Sequence, residues 1–220
     1  MVVGTVAKLW RYPVKSLRAE ALTRAEVLTD GLAGDREAAL MVDTPTHARA
    51  GKPFRGKESP LLHLTADPET AASYAADANV LVSLTTEPAR WFDAWPVSIL
   101  LDLWVRDVEA LVGEPLDPLR WRPNLFIAAA PGFAKREADL LGAALRVGTV
   151  DLLVVDTDKR CITTTYDVET GASEPRVLGE VARNRDNVVG IYCEVLVPGV
   201  VSLGDELTIV PPASTPAPAG

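Results

Sequence analysis

The sequence predicts a mainly β protein with a few short helices. Short runs of β-branched and aromatic residues recur along the chain, punctuated by Gly, Pro and Asx turn signals. Val189, Ile191, Cys193, Val195 and Val197 alternate with polar or outward positions, which places them on one face of a strand. Helical spacing is rare, with Trp104, Val108 and Leu111 at i, i+4 and i+7 the clearest case. Many short strands and few helices read as β-rich barrels.

Each element has its local signal. Residues 2–10 are rich in β-formers, and Tyr12-Pro13 stops them because proline fixes φ and lacks a ladder donor. A second strand is expected over 20–28, a turn at Asp30-Gly31 and Gly34-Asp35, and a third strand over 37–42 opened by Arg36. Residues 44–59 read as a loop, 61–65 as a short apolar strand with His63 packed in the core, and Asp67-Pro68-Glu69 as the start of a short helix or turn. Strands over 79–84 and 97–102 flank Trp91, Phe92 and Trp95, apolar residues suited to a domain seam. The helix over 103–112 ends at Gly113, a C-cap signal. Strands then follow over 125–129, 144–147 and 150–155, with a turn or short helix at 137–141. Ser173 and Pro175 open a helix with Val177, Leu178 and Val181 as its apolar stripe. Arg183, Asn184 and Arg185 are either its polar end or a second basic wall of a pocket. Strands over 200–203 and 206–210 finish the sheet, and the Pro/Ala tail 211–220 has nothing to bury and is expected to be disordered. Domains are therefore drawn at 1–87 and 88–210, since no Gly/Ser linker interrupts the interior.

Composition narrows the function. The chain has 220 residues, 48% apolar and 24% charged, with a formal net charge of −8. An acidic chain lacks the electrostatic footprint of a nucleic-acid binder. No run approaches the roughly 18 apolar residues of a membrane span. Cys161 and Cys193 form neither a disulfide framework nor a zinc-ligand spacing with His47 and His63. Met1 to Gly4 lead straight into a strand without signal-peptide character, so a reducing, cytoplasmic setting is expected.

The chemistry concentrates at Lys159-Arg160-Cys161-Ile162-Thr163-Thr164-Thr165. Cations beside a cysteine favour the thiolate, which is the nucleophile and metal ligand, and soft thiolates suit soft metals. Most free cysteines are instead small buried apolar residues, and Cys193 on its apolar face is read that way. Lys15-Ser16, Arg36 and Arg122 taken singly are also ordinary surface, although an arginine fork grips phosphate bidentately.

The segment R-C-x-x-T-T-x-D-x-x-T-G from Arg160 to Gly171, with G-I-Y-x-x-V-x-x-P-G-x-V-x-x-G-D from Gly190 to Asp205, resembles the MOSC domain, named for the C-terminal part of molybdenum cofactor sulfurases. V-A-K-L-W-R-Y-P-V-K-S at Val6 to Ser16 and Gly34-Asp35-Arg36 resemble the β-barrel domain that precedes MOSC in the amidoxime-reducing family. The resemblance implies two β-barrel-like lobes with a molybdenum cofactor between them. It implies Cys161 as metal ligand and catalytic centre, and Lys15, Ser16, Arg36, Arg122, Asn124, Arg160, Thr163 and Thr164 as cofactor contacts. Two positions depart from the family pattern: Lys57-Glu58-Ser59-Pro60, where the family's arginine is replaced or displaced to Arg55, and Ala94-Trp95, where relatives carry small hydroxyls.

By the same resemblance the reaction is reduction of N-hydroxylated or N-oxide small molecules. Electrons would come from a separate flavin or iron–sulfur protein, because this chain has no spare cysteine set and no dinucleotide fingerprint. The alternatives are a non-catalytic cofactor carrier, a sulfur relay through a Cys161 persulfide, and a fold that has lost the cofactor.

Overall fold

The computed structural model describes residues 1–87 and 90–211. The expected tail therefore lies outside the described residues beyond Pro211, and the boundary drawn at 88 falls on residues also outside them. The chain is mainly β, with three α-helices among the described residues. β1 (Val2–Arg11) buries Val3, Val6, Leu9 and Trp10, its alternation shifted by two register irregularities. The single strand expected over 20–28 is split into β2 (Glu20–Leu22) and β3 (Arg24–Leu28), because the first half pairs with β1 and the second with another sheet. β4 (Gly31–Leu32) and β5 (Ala39–Val42) follow.

Residues 60–64 form a 3-10 turn and not the expected strand. Pro60 opens it without a donor for a ladder, and Ser59 accepts from Leu62 to close it. Leu62 and His63 are still buried. α1 (Pro68–Asp77) is capped by the Asp67 carboxylate, which accepts from the N–H groups of Glu69 and Thr70, and it buries Ala71 and Ala75. β6 (Val82–Thr85) pairs with β5, and β7 (Val97–Leu101) is buried throughout.

α2 (Asp102–Val112) buries Trp104, Val105, Val108 and Val112, so the apolar face closes on Val112 while Leu111 is 40% exposed. Gly113 ends it in the left-handed region, φ 82°, with its N–H on the Glu109 carbonyl. β8 (Leu125–Ala129), β9 (Ala144–Val147) and β10 (Val150–Lys159) precede α3 (Pro175–Asn184), which is capped by Glu174 rather than Ser173. β11 (Val188–Val197), β12 (Gly199–Ser202) and β13 (Glu206–Val210) complete the chain.

The strands run in the order β13-β9-β10-β11-β7-β8-β1, and β13 also pairs with β1, closing a seven-stranded barrel. The first strand of the chain is thus a stave of a barrel otherwise built after residue 96. The large hydrophobic core fills this barrel and extends under α2 and α3. A second, smaller core joins Val14, Leu17, Leu40, Phe54, Leu62, Ala71 and Val80 beside it.

Arg185, read from sequence as part of a helix end or of a pocket wall, is the C-cap of α3 and does not line the pocket. It is 4% exposed and ion-paired to Glu137 at 2.5 Å and to Asp107 at 2.6 Å. Removing one partner of such a pair strands a buried charge, so Arg185→Ala should lower stability by about 3–5 kcal/mol in urea denaturation. At Gly4 a Cβ would lie 2.1 Å from the Ala128 carbonyl oxygen across the β1–β8 pair. Gly4→Ala should therefore lower the urea midpoint by about 3 kcal/mol equivalent or more, with an unchanged slope if the barrel stays closed.

Candidate functional site

Strand register gathers one set of loops at one end of the barrel. Leu9 opposite Leu125, Ile99 opposite Leu125, Tyr192 opposite Ser98 and Lys159 opposite Val188 bring together the end of β1, the starts of β7, β8 and β11, and the end of β10. Between this end and the small lobe lies a cavity of about 400 Å³, the size of a small-molecule or cofactor site. Lys15, Ser16, Arg36, Arg122, Arg160, Cys161, Thr163 and Thr164 all line it. Residues from the first 60 and the last 100 positions thus meet there.

Tyr12 organises the cationic wall. It is 1% exposed, its N–H donates to Asp35 Oδ1 at 2.7 Å and its hydroxyl donates to the Pro123 carbonyl at 3.1 Å. The Arg36 and Arg122 guanidinium carbons lie 4.6 and 4.2 Å from its ring centroid, a cation–π arrangement that holds two like charges near one another. Burial pushes the phenol well above its ordinary range, so it stays protonated. Asp35, fully buried, takes the other side of Arg36 as an ion pair. Arg122 is treated differently. Its Nη1 donates to His63 Nδ1 at 3.1 Å, and because guanidinium only donates, the imidazole proton must sit on Nε2. Burial first and Arg122 second drive the His63 pKa down to about 3, so the ring is neutral.

Backbone conformation sets the same residues apart. Ser16, Arg36 and Arg122 have φ of 70°, 51° and 52°; the other non-glycine residues at positive φ among those described are Asn or Asp. Asn and Asp tolerate this region, whereas serine and arginine do so at a cost of about 1–3 kcal/mol. Two donors, Arg122 Nη2 and Trp121 Nε1, are buried in the cavity wall without a partner among the described residues. Such groups ask for a ligand or water with acceptors.

Cys161 follows β10 and precedes a 3-10 turn over Ile162–Thr165. Its sulfur is half-buried and 3.1 Å from the Thr163 hydroxyl. The Thr164 hydroxyl is spent on the Cys161 carbonyl at 2.9 Å, so it shapes the turn. Arg160 is likewise spent: Nε donates to Val189 O and Nη1 to Trp121 O, both at 2.7 Å, while Nη2 pairs with Asp158 at 2.6 Å. Its role is to position Cys161. Asp158, 3% exposed, is pushed by burial up to about 6 against the pull of Arg160.

Asn124, expected as a cofactor contact, lies behind the cavity and is 1% exposed. Its side chain accepts from Ser98 N–H and Oγ at 3.1 Å and donates to Trp10 O at 3.3 Å, pinning β1, β7 and β8 together. Of the departures from the family pattern, Arg55, Lys57 and Ala94 line the cavity, Arg55 being held by Glu58 at 2.7 Å. Sequence reasoning missed Tyr12, Asp93, Trp121 and Asp158 as site residues and placed His63 only in the core. Tyr12 sits within the Val6 to Ser16 motif and Trp121 directly precedes Arg122, whereas nothing local marks Asp93.

Comparison with known proteins supplies the context. The family model described as the MOSC N-terminal beta barrel domain matches residues 3–88, and that described as the MOSC domain matches residues 93–208. Among solved structures, the chain is similar to the YuaD protein from Bacillus subtilis, at 17% identity over 93% of both chains with a TM-score of 0.57. It is also similar to YiiM from Escherichia coli, at 15% identity over 93% of this chain and 72% of that one, TM-score 0.45. A third similarity is to YiiM from Geobacillus stearothermophilus, at 19% identity over 53% of this chain and 54% of that one, TM-score 0.42. The first likeness shows a shared fold, and the other two carry no further argument. A search of curated proteins finds no match. On the two family models, which together span nearly its whole length, the chain belongs to the MOSC domain family and carries a MOSC N-terminal β-barrel domain.

Proposed function

We propose that the protein binds a molybdenum cofactor in this cavity and works as an oxidoreductase, reducing N-hydroxylated or N-oxide small molecules with electrons from a separate flavin or iron–sulfur protein. One observation carries the reading: a half-buried cysteine and a set of cations built on strained backbone share one cavity wall with buried donors that lack partners. The residues fit the group. Lys15, Arg36 and Arg122 offer charge for a phosphate, Trp121 Nε1 and the Ser16 and Thr163 hydroxyls offer polar contacts for a pterin, and Cys161 offers one soft ligand. Bound there, the cofactor would supply two-electron oxygen-atom transfer at its metal.

The chain's own residues have distinct tasks. Arg122 is oriented by His63 and Tyr12 without losing its charge to a carboxylate. The Thr163 hydroxyl donates to the Cys161 sulfur when that sulfur is a thiolate. Arg160, fixed on two carbonyls and Asp158, sets where β10 delivers the cysteine. No helix among the described residues is long and apolar enough to cross a membrane, and we place the protein in the cytoplasm, where a free thiol persists.

Purified from a host that makes the cofactor, the wild type should carry near-stoichiometric molybdenum and pterin. Cys161→Ala should lose most of the metal. Folded wild type without either, even from a cofactor-overproducing strain, would sink the reading and leave Cys161 as a sulfur relay. Turnover of an amidoxime with an artificial electron donor separates enzyme from carrier.

His63 gives a second test. A histidine neutral in the folded state and ordinary when unfolded binds more protons unfolded, so its contribution to stability is present at neutral pH and is lost as pH falls from about 6.5 toward about 3. His63→Gln should flatten that part of the stability–pH curve while lowering pterin retention at pH 7 about tenfold, through a misplaced Arg122. Unchanged retention together with a flattened curve would make His63 purely structural.

A further inference from the structure

Asp93 is a carboxylate set among the cations of the cavity. It lies in the connection between β6 and β7, and its side chain is 76% exposed although its ion-pair partner Lys15 has a side chain only 9% exposed. Lys15 Nζ donates both to the Asp93 carboxylate and, at 3.0 Å, to the Trp91 carbonyl. The Trp91 N–H donates in turn to the Arg36 carbonyl. The connection is therefore tied to the backbone that presents a second cavity cation. Charged groups face Asp93 from every side: Lys15 after β1, Arg36 ahead of β5, Arg55 in the loop after β5, Arg122 ahead of β8, and Asp158 on β10. Arg36, Arg55 and Asp158 already have partners of opposite charge in Asp35, Glu58 and Arg160. Lys15 has Asp93.

We propose that Asp93 is a built-in competitor for the anionic ligand of this cavity, its carboxylate holding the Lys15 ammonium that a phosphate group would otherwise engage. The proposal rests on the reading of Lys15, Arg36 and Arg122 as an anion cradle. A phosphate oxygen brought to Lys15 meets a like charge within contact distance, which disfavours binding unless the side chain swings away. Asp93 is free to do so: among the described residues its carboxylate has no hydrogen-bond donor but Lys15, and it is mostly exposed. The cavity mouth strips part of its hydration, which raises its pKa, but Lys15 outweighs this and holds it below the ordinary carboxylate range. The charge therefore persists at neutral pH. The consequence is selectivity. A small free anion gains only the cation contacts and must displace Asp93 with those alone, whereas a phosphorylated ligand with a ring or other groups to bury brings further contacts that offset the displacement.

The test is calorimetric titration of the full chain with inorganic pyrophosphate at fixed ionic strength. Asp93→Asn and Asp93→Ala should each bind about tenfold tighter than wild type, and Asp93→Glu within about threefold of it. Affinity unchanged or weaker in the two neutral variants overturns the proposal, as does absence of binding in all four proteins. Tightening in Asp93→Asn alone overturns it too, since a new amide contact would then explain the gain. Molybdenum content measured on the same preparations separates this inference from the cofactor reading. Tighter pyrophosphate binding without metal in wild type fails the cofactor reading only, and metal with unchanged pyrophosphate affinity fails this proposal only.

Discussion

The pairing of β1 with β13 is the contact on which the rest depends. Val2 lies opposite Thr208 and Thr5 opposite Glu206, so the barrel closes only when the first strand of the chain docks against the last. Closure joins the ends of the seven barrel strands, leaving β2 as a short edge strand on β1, and fixes where the chain goes next. From Arg11 it leaves at the end of the barrel where β10 and β11 deliver Cys161 and Tyr192, and it must turn at once into Tyr12, Lys15 and Ser16. The N-terminal segment thus serves two cores: its strand fills the large one, and Val14 and Leu17 start the small one. Such a contact is the costliest kind to form, since nearly the whole chain is looped out before it.

Backbone strain marks what this architecture supports. A serine and two arginines are held at positive φ, where glycine or asparagine would fit at lower cost. The two arginines are held in place by their surroundings: Arg36 by Asp35 and the Tyr12 carbonyl, and Arg122 by the turn over Pro118–Trp121, where its N–H caps the Leu119 carbonyl. Trp91 accepts the ammonium next to Ser16 and donates to Arg36. The serine and both arginines line one cavity, as strained backbone positions at candidate sites do.

Much of this was legible in the sequence because it is written locally. The buried positions Val189, Ile191 and Cys193, the helix start at Asp67-Pro68, the helix ending on Gly113 and the strand at 125–129 depend on neighbours a few residues away, whereas the expected alternation fails at Val197, which is exposed. What was not legible depends on partners far along the chain. The break between β2 and β3 at Thr23 exists because each half pairs with a different strand. Leu61 to Leu64 has strand-like composition, yet no ladder partner comes within reach, and Pro60 favours a turn. Asn124 and Arg160 have the composition of ligand contacts, but their donors are consumed by Trp10, Trp121 and Val189, none of which is near in sequence. Motif resemblance named residues that the fold gathers around one cavity, without distinguishing those that line it with free donors from those whose donors are used to hold the others.

That distinction reduces to how each cation is held. Arg160, Arg55 and Arg120 each have a carboxylate partner, in Asp158, Glu58 and Asp167. Their charge is largely cancelled locally, and what remains is geometry: they fix strand ends and loops. Arg122 is held by a neutral imidazole and an aromatic face, neither of which carries a counter-charge. Burial disfavours its charged form, and with Arg36 beside it the guanidinium has every electrostatic reason to seek an anion. A chain with net charge −8 can therefore present a strongly attractive site for an anion, because its acidic surface is screened by water and salt while this one guanidinium is not. A carboxylate in place of His63 would hold Arg122 as firmly and would remove the charge that makes it useful.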